Sequence, residues 1–256
     1  MDFDLFYDWV ESYFRINLHA YKQKQLQRRI QTIMKQSGAE TLTDYSVIIQ
    51  ENPLIRKDFL DYITINVTEF FRNKELFDRF EEIIAEDLSK KFPKLKIWSA
   101  ACSIGSEPYS LAMILHRQGI KLDQQILATD IDETILNRAK KGIYKEHELK
   151  NVSLPDRSDF FLEEDKQYVL QDRIKRAVDF KKHDLVIDKY EKGFHAIVCR
   201  NVTIYFKNEV KEDIYQKFSD SLVLGGLFFT GATETIYRPE KYGLKKVASF
   251  IYEKVS

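Results

Sequence analysis

Apolar residues in the first 75 positions recur at helical spacing. Leu5, Phe6, Trp9, Val10 and Tyr13 fall on one face of a helix, and Leu26, Ile30, Ile33 and Met34 on one face of another. Gly38, the only glycine of this stretch, follows the second as a helix end. Thr43 or Asp44 is placed to cap a helix from Tyr45 to about Gln50. Pro53 suits the start of a further helix, through about Tyr62. No strand series interrupts the pattern, so residues 1–75 are expected to form an all-α domain with its linker.

The remainder, residues 76–256, alternates. Leu95 to Ala101 is an apolar run, and Pro108 to Arg117 reads as a helix. Gln125 to Ile131 predicts a second strand and Glu133 to Lys141 a second helix. Phe194 to Asn201, the helix Asn208 to Leu222 and the strand Gly225 to Ala232 follow. Leu244 to Val255 suits a closing antiparallel pair. Strand and helix in alternation predict a parallel sheet covered on both faces. From Asp130 to Asp184 is 54 residues by subtraction, whereas a crossover unit needs about 30. Tyr168 to Leu170 and Ile174 to Phe180 suggest a small antiparallel excursion within about 155–180, with a long surface loop as the other reading.

Composition narrows the classes. Hydrophobic residues are 44% and charged residues 31% of 256, a globular balance. Forty basic residues meet forty acidic ones, and a neutral chain is a poor nucleic-acid coat. The longest stretch free of Asp, Glu, Lys and Arg is Ser221 to Thr233, 13 residues, against about 20 for a membrane span. Asp2, Asp4, Asp8 and Glu11 stand where a secretion signal would be basic. Only Cys102 and Cys199 occur, without redox or metal spacing, and the five histidines form no HExxH. A soluble cytoplasmic protein without a metal site is expected. With no extended apolar heptad, a monomer is expected too.

Ligands of an open parallel sheet bind beyond the carboxyl ends of its strands. The first strand runs into Ala100-Ala101-Cys102-Ser103-Ile104-Gly105-Ser106-Glu107-Pro108. Small residues there let a ligand approach the backbone, and Gly105 permits an unusual turn. The helix that follows offers free amide groups. The second strand ends in Ala128-Thr129-Asp130-Ile131-Asp132. Asp130, 25 residues after Gly105, is placed to accept hydrogen bonds from ribose hydroxyls, and Asp132 to cap the next helix. These two motifs indicate a nucleoside cofactor, and fit a dinucleotide or S-adenosylmethionine equally. Asn66-Val67-Thr68-Glu69-Phe70-Phe71-Arg72-Asn73 and Cys199-Arg200-Asn201-Val202-Thr203-Ile204-Tyr205-Phe206 set polar groups beside paired Phe, as a half-buried nucleoside pocket requires. Interdomain core is the plainer reading of Phe70-Phe71. His116, His147, His183, Trp98 and Cys102 read as structural groups.

The string from Trp98 through Met113 resembles the signature of the CheR family, the bacterial chemotaxis-receptor glutamate O-methyltransferases. That family usually has Gly, Thr and Glu where this chain has Ala101, Ile104 and Ser106. Asn66 to Arg72, Ala128 to Asp132, Arg200 to Phe206 and Thr233-Glu234-Thr235 resemble further blocks in the same order. The resemblance covers almost the whole chain. It implies a class I S-adenosylmethionine-dependent methyltransferase: an α/β, Rossmann-like fold with a seven-stranded, mostly parallel sheet whose last strand is antiparallel. It also implies an N-terminal all-α domain and a small inserted antiparallel β-subdomain. By matching position, Asn66, Thr68, Arg72, Gly105, Glu107, Asp130, Asp184 with Leu185, and Asn201 with Val202 are expected at S-adenosyl-L-methionine. Tyr205 and Arg72 are expected to serve the transfer, Tyr205 near the methyl and Arg72 paired with the cofactor's own carboxylate. The product would be S-adenosyl-L-homocysteine.

Between Arg15 and Lys35 stand six basic residues and no acidic one. If Lys22 to Lys35 is helical, Lys24, Arg28 and Lys35 share a side away from Leu26, Ile30, Ile33 and Met34. With Lys22 and Arg29 they suit an acidic helical partner. The resemblance makes that partner the cytoplasmic helices of methyl-accepting chemotaxis receptors; a solvated face is the plainer reading. Two other functions fit parts of the pattern: a nicotinamide-dependent oxidoreductase, disfavoured by the incomplete glycine fingerprint, and a non-catalytic sensor that binds the cofactor and docks a partner.

Overall fold

The computed structural model describes residues 1–64 and 68–256, so the expectation placed on Asn66 lies outside the described residues. The chain divides into two units, Met1–Asn66 with Tyr205–Glu212, and Val67–Ile204 with Asp213–Ser256. The expected boundary near residue 75 moves back. Phe70 and Phe71 belong to the core of the second unit, where Phe70 packs edge-on against Tyr144 and Phe71 against Phe77.

The first unit is built on α1 (Phe3–Phe14), α2 (Gln23–Gln36), α3 (Leu42–Glu51) and α4 (Pro53–Thr64). Phe6, Tyr7 and Val10 bury one face of α1. Leu5 and Tyr13, expected on that face, are exposed; Tyr7 takes the inner position. Leu26, Ile30, Ile33 and Met34 are the buried side of α2 as expected, and Gly38 follows at φ 81°. The cap of α3 is Thr41, ahead of both expected positions, Thr43 and Asp44. Thr41 and Asp44 form a reciprocal capping box, so Asp44 serves as the third helical residue of that box. Phe6, Tyr45 and Phe59 form the aromatic centre, with ring centroids about 6 Å apart. The 205–207 segment joins this unit through main-chain bonds: Lys22 N–H donates to Tyr205 O and Lys207 N–H to Ala20 O, both at 2.9 Å.

The second unit opens with α5 (Lys74–Ile83), which passes through a π-turn, Ile84–Leu88, into α6 (Ser89–Lys91). Then come β1 (Ile97–Ala100), α7 (Ser106–Arg117), β2 (Ile126–Asp130) and α8 (Glu133–Lys141). The excursion holds β3 (Ile143–Lys145), α9 (Leu154–Phe160), β4 (Phe161–Glu164) and β5 (Gln167–Leu170). After α10 (Asp172–Lys175) come β6 (Val178–Lys182), β7 (Phe194–Cys199), α11 (Asn208–Ser221), β8 (Leu222–Thr230), β9 (Leu244–Ala248) and β10 (Ile251–Lys254). Seven strands make one sheet in the order β6-β2-β1-β7-β8-β10-β9. It is parallel from β6 to β8, and β10 runs antiparallel to both neighbours.

The antiparallel subdomain exists, as the sheet β3-β5-β4, but its limits differ from 155–180. It begins at Ile143 and ends at Leu170. Ile174 to Phe180 is not one of its strands: it splits between α10 and β6, an edge of the main sheet. An edge strand is covered less than a central one, so Val178 and Phe180 are buried while Asp179 is half-buried and Lys181 exposed. That alternation resembles a free-standing hairpin. The central strands β1 and β2 are buried throughout. Chain connections leave β1 in one direction for β2 and β6, and in the other for β7 and β8. A crevice opens at such a switch point, outside the carboxyl ends of the strands.

Candidate functional site

Register sets the floor of the site. Ala100 pairs with Thr129 on one side and Cys199 on the other, so the loops after β1, β2 and β7 leave the sheet at one level. In the first loop Ala101, Ser103 and Gly105 all have positive φ, at 62°, 50° and 84°. Two of these are paid for by non-glycine residues, at about 1 kcal/mol each. Neighbours hold the turn. Cys102 N–H donates to Thr129 O at 2.8 Å, and Tyr144 Oη to Ile104 O at 2.8 Å. Gly105 is required: a Cβ there would lie 3.0–3.2 Å from Ala139, Tyr109 and Phe180.

Asp130 ends β2 as expected, 6% exposed. Its Oδ2 accepts from Ser103 N–H at 2.8 Å and its Oδ1 from Asp132 N–H at 3.1 Å. Burial pushes its pKa up to about 6, against the pull of these two amides. Asp132 caps α8, accepting from Thr134 and Ile135. Glu107 lies in the first turn of α7, 8% exposed, and accepts from Ser99 Oγ at 2.8 Å. Burial raises it to about 7, opposed by the positive charge of Arg200, by that hydroxyl and by Arg72. Beside it, Ser106 Oγ meets Thr68 Oγ1 at 2.9 Å, and Ser110 Oγ accepts from Phe71 N–H at 3.0 Å. The two serines thereby tie residues 68–71 to α7.

Past β6, Asp184 Oδ1 accepts from Val186 N–H at 2.7 Å, and Asp184 N–H donates to Asp188 Oδ2 at 2.8 Å. This turn buries Leu185. Burial raises Asp184 above the usual carboxylate range. His183 stacks edge-on against Trp98 at 5.3 Å, which accords with its structural reading. Cys102 is buried, and burial raises its thiol well above the ordinary value.

Past β7, Asn201 adopts φ 62°. Its Oδ1 is buried and has no hydrogen-bond partner among the described residues. Asn201 N–H, Val202 N–H, Ile204 N–H and Thr203 Oγ1 all donate to the carboxylate of Glu234. Glu234 was legible only as part of a family block. A sharper signal was available: it is the first charge after 13 uncharged residues, at the end of a core strand. Arg200, also not singled out, is 6% exposed; it donates to Asn73 Oδ1 at 3.0 Å and lies over Phe77 and Phe229. Burial lowers its pKa, while the charges of Glu107 and Glu234 act the other way.

The second unit thus brings together Thr68, Arg72, Gly105, Glu107, Asp130, Asp184, Leu185, Asn201 and Val202 on the loops that leave the carboxyl ends of β1, β2, β6 and β7 or tie to α7. Tyr205 closes the short 3₁₀ turn Thr203–Tyr205 and groups with the first unit. There it borders a small cleft with Tyr21, Lys22, Gln25, Leu26, Arg29 and Ile63. Lys22, Lys24, Arg28 and Lys35 are exposed. Arg29 differs: it donates to Tyr62 O, and its guanidinium lies 4.4 Å over the Tyr62 ring. Among the described residues no cluster of His, Cys, Asp and Glu could hold a metal, and no helix is long and apolar enough to cross a membrane.

Comparison with known proteins places this architecture. Residues 66–251 match the family model "CheR methyltransferase, SAM binding domain", and residues 1–64 match "CheR methyltransferase, all-alpha domain". The chain is 40% identical over 240 residues to a chemotaxis protein methyltransferase of Listeria innocua, covering 93% of this chain and 92% of that one. It is 31% identical to one of Borreliella burgdorferi, covering 89% and 85%. It is 32% identical to chemotaxis protein methyltransferase 1 of Pseudomonas aeruginosa, covering 94% and 93%.

Proposed function

Because the chain belongs to the CheR methyltransferase family and carries its S-adenosylmethionine-binding domain, we propose that it methylates glutamate side chains of methyl-accepting chemotaxis receptors. The products are glutamate γ-methyl esters and S-adenosylhomocysteine. The receptor partners are cytoplasmic helices, which places the reaction in the cytoplasm.

The observation that supports the reading is Asn201 Oδ1, just past β7, a buried acceptor with no hydrogen-bond partner among the described residues. A buried amide oxygen left unpaired is costly, so the site is built to receive a donor. The rest of the donor set fits the same cofactor. Asp130 has lone pairs left for ribose hydroxyls. Glu107, raised by burial, gains from a cation brought beside it, such as the cofactor's ammonium group. Arg72 suits the cofactor's carboxylate, while Leu185 supplies an apolar edge and Val202 and Thr68 complete the wall.

When bound, the cofactor supplies a methyl group on a sulfonium. A glutamate carboxylate has an ordinary pKa of about 4.3 and is ionised at neutral pH. Its oxygen attacks without losing a proton, so the chain needs no general base. The work left to the protein is alignment and exclusion of water. Tyr205 orients the reactants near the methyl. Arg72 and Glu107 fix the cofactor's amino-acid end and keep its charge balanced.

The test is incubation with methyl-labelled cofactor and a receptor signalling fragment, followed by mild base. Release of labelled methanol supports a γ-ester. Label that survives base, or that never reaches the fragment, overturns the reading.

A further inference from the structure

Glu234 is 3% exposed, and its carboxylate collects five donors. Oε1 accepts from Val202 N–H at 3.0 Å, Thr203 Oγ1 at 2.8 Å and Ile204 N–H at 3.3 Å. Oε2 accepts from Asn201 N–H at 2.5 Å and Gly231 N–H at 2.9 Å. A carboxylate has about four lone-pair sites, so none remains for a ligand. Gly231 is shaped around this group: a Cβ there would stand 2.3 Å from Glu234 Oε2 and 2.7 Å from Asn201 N. The loop it gathers does not hold itself, since Asn201 sits at φ 62°, a conformation that costs a non-glycine residue about 1 kcal/mol.

We propose that Glu234 is a positioning residue for methyl transfer: its carboxylate folds residues 201–204 into the shape that aims the Asn201 amide at the cofactor and sets the start of the Tyr205 turn. The inference rests on the cofactor site described above. It does not depend on which side chain receives the methyl.

A glutamine cannot replace the group. Its single carbonyl oxygen serves one set of donors, and its NH2 then faces backbone N–H groups on the other side. Glu234→Gln therefore keeps the volume and breaks the clamp. Its KM for S-adenosylmethionine and its dissociation constant for S-adenosylhomocysteine are expected to rise at least about tenfold, with the KM for a receptor fragment within about twofold of the parent. A merely structural residue would act differently: fewer competent molecules would lower kcat and leave both KM values unchanged. That pattern, or parental affinity for S-adenosylhomocysteine by calorimetry, overturns the proposal. If Glu234→Gln does not fold, Thr203→Val decides, because it removes one of the five bonds and keeps the charge. It is expected to weaken S-adenosylhomocysteine about threefold, and unchanged affinity overturns the proposal. The calorimetric arm involves no receptor. A parent that binds S-adenosylhomocysteine but leaves receptor glutamates unlabelled would sink the glutamate reading alone.

Discussion

The main-chain N–H of Ser103 donates to Asp130 Oδ2 at 2.8 Å, which ties the loop after β1 to the end of β2. One carboxylate thus braces the turn from the neighbouring strand. The bond does not fully offset burial, because the Asp130 pKa still stands at about 6. Glu107, held by Ser99, stands at about 7. In both, burial of the charged form is the largest cause of the rise.

That imbalance has a pH signature. The folded-state pKa of Glu107 is raised from 4.5 to about 7, chiefly by burial. The native state therefore holds its proton to higher pH than the unfolded chain. The stability linked to this group is present below about pH 4.5 and is lost as pH rises through about 7. Glu107→Gln mimics the protonated form. Without ligand it should melt above the parent at about pH 8, by up to roughly 3 kcal/mol of stability, with the gap closing near pH 4.5. Thermal melts of both proteins across that range check it; a gap independent of pH counts against the burial argument. The same variant should bind S-adenosylhomocysteine at least about tenfold more weakly.

Ala101 stands at φ 62° where the family usually has Gly. Ala101→Gly should relieve the left-handed strain and stabilise the protein by about 0.5–1 kcal/mol, less the added freedom of the unfolded chain. Gly105→Ala is the opposite case: φ is 84° and the new Cβ would press on Ala139, Tyr109 and Phe180. It should cost at least about 2 kcal/mol and weaken cofactor binding. Denaturant titration of the pair checks the sign of each.

The sequence shows the parts of this fold that obey a local rule. Helix α8 begins where the Asp132 cap predicts, and the buried face of α2 follows its 3.6-residue period. Where two rules compete, the reading fails. Val178 to Lys182 alternates like a hairpin strand because it is an edge strand of the main sheet. Thr41 displaces Thr43 as the cap because its box with Asp44 satisfies two main-chain donors. Asp130 is legible from its spacing after Gly105, whereas Glu107 and Asp184 are singled out only by the family resemblance. The internal bracing of the site is not legible: Glu234 reaches back about 30 residues to bind Asn201 and Val202, and no local pattern records a bond of that range.

Tyr205 is held by its backbone, since Lys22 N–H donates to its carbonyl oxygen at 2.9 Å and the Tyr21 ring packs 4.9 Å from Phe206. Removing the hydroxyl should leave that anchorage intact. Tyr205→Phe is expected to lower kcat about tenfold or more while the affinity for S-adenosylhomocysteine stays within about twofold. Steady-state kinetics beside calorimetry separates the two. Equal turnover in the variant would remove the hydroxyl from the mechanism.

The basic residues of α2 divide into two kinds. Lys24, Arg28 and Lys35 are exposed on α2, free of its buried face, and suit long-range attraction to an acidic helix. Arg29 is engaged by Tyr62 through its carbonyl and its ring. Lys24→Glu with Arg28→Glu should raise the KM for a receptor fragment about tenfold and leave the KM for S-adenosylmethionine unchanged. Added salt should raise the parent's KM toward that of the variant, because screening acts on exposed charge. Arg29→Ala should instead lower the melting temperature, losing about 1–2 kcal/mol of backbone and ring contact. Its receptor KM should move less than that of the double variant. If the charge reversals leave the receptor KM untouched, the α2 face is solvent-facing only, and recognition must reside elsewhere.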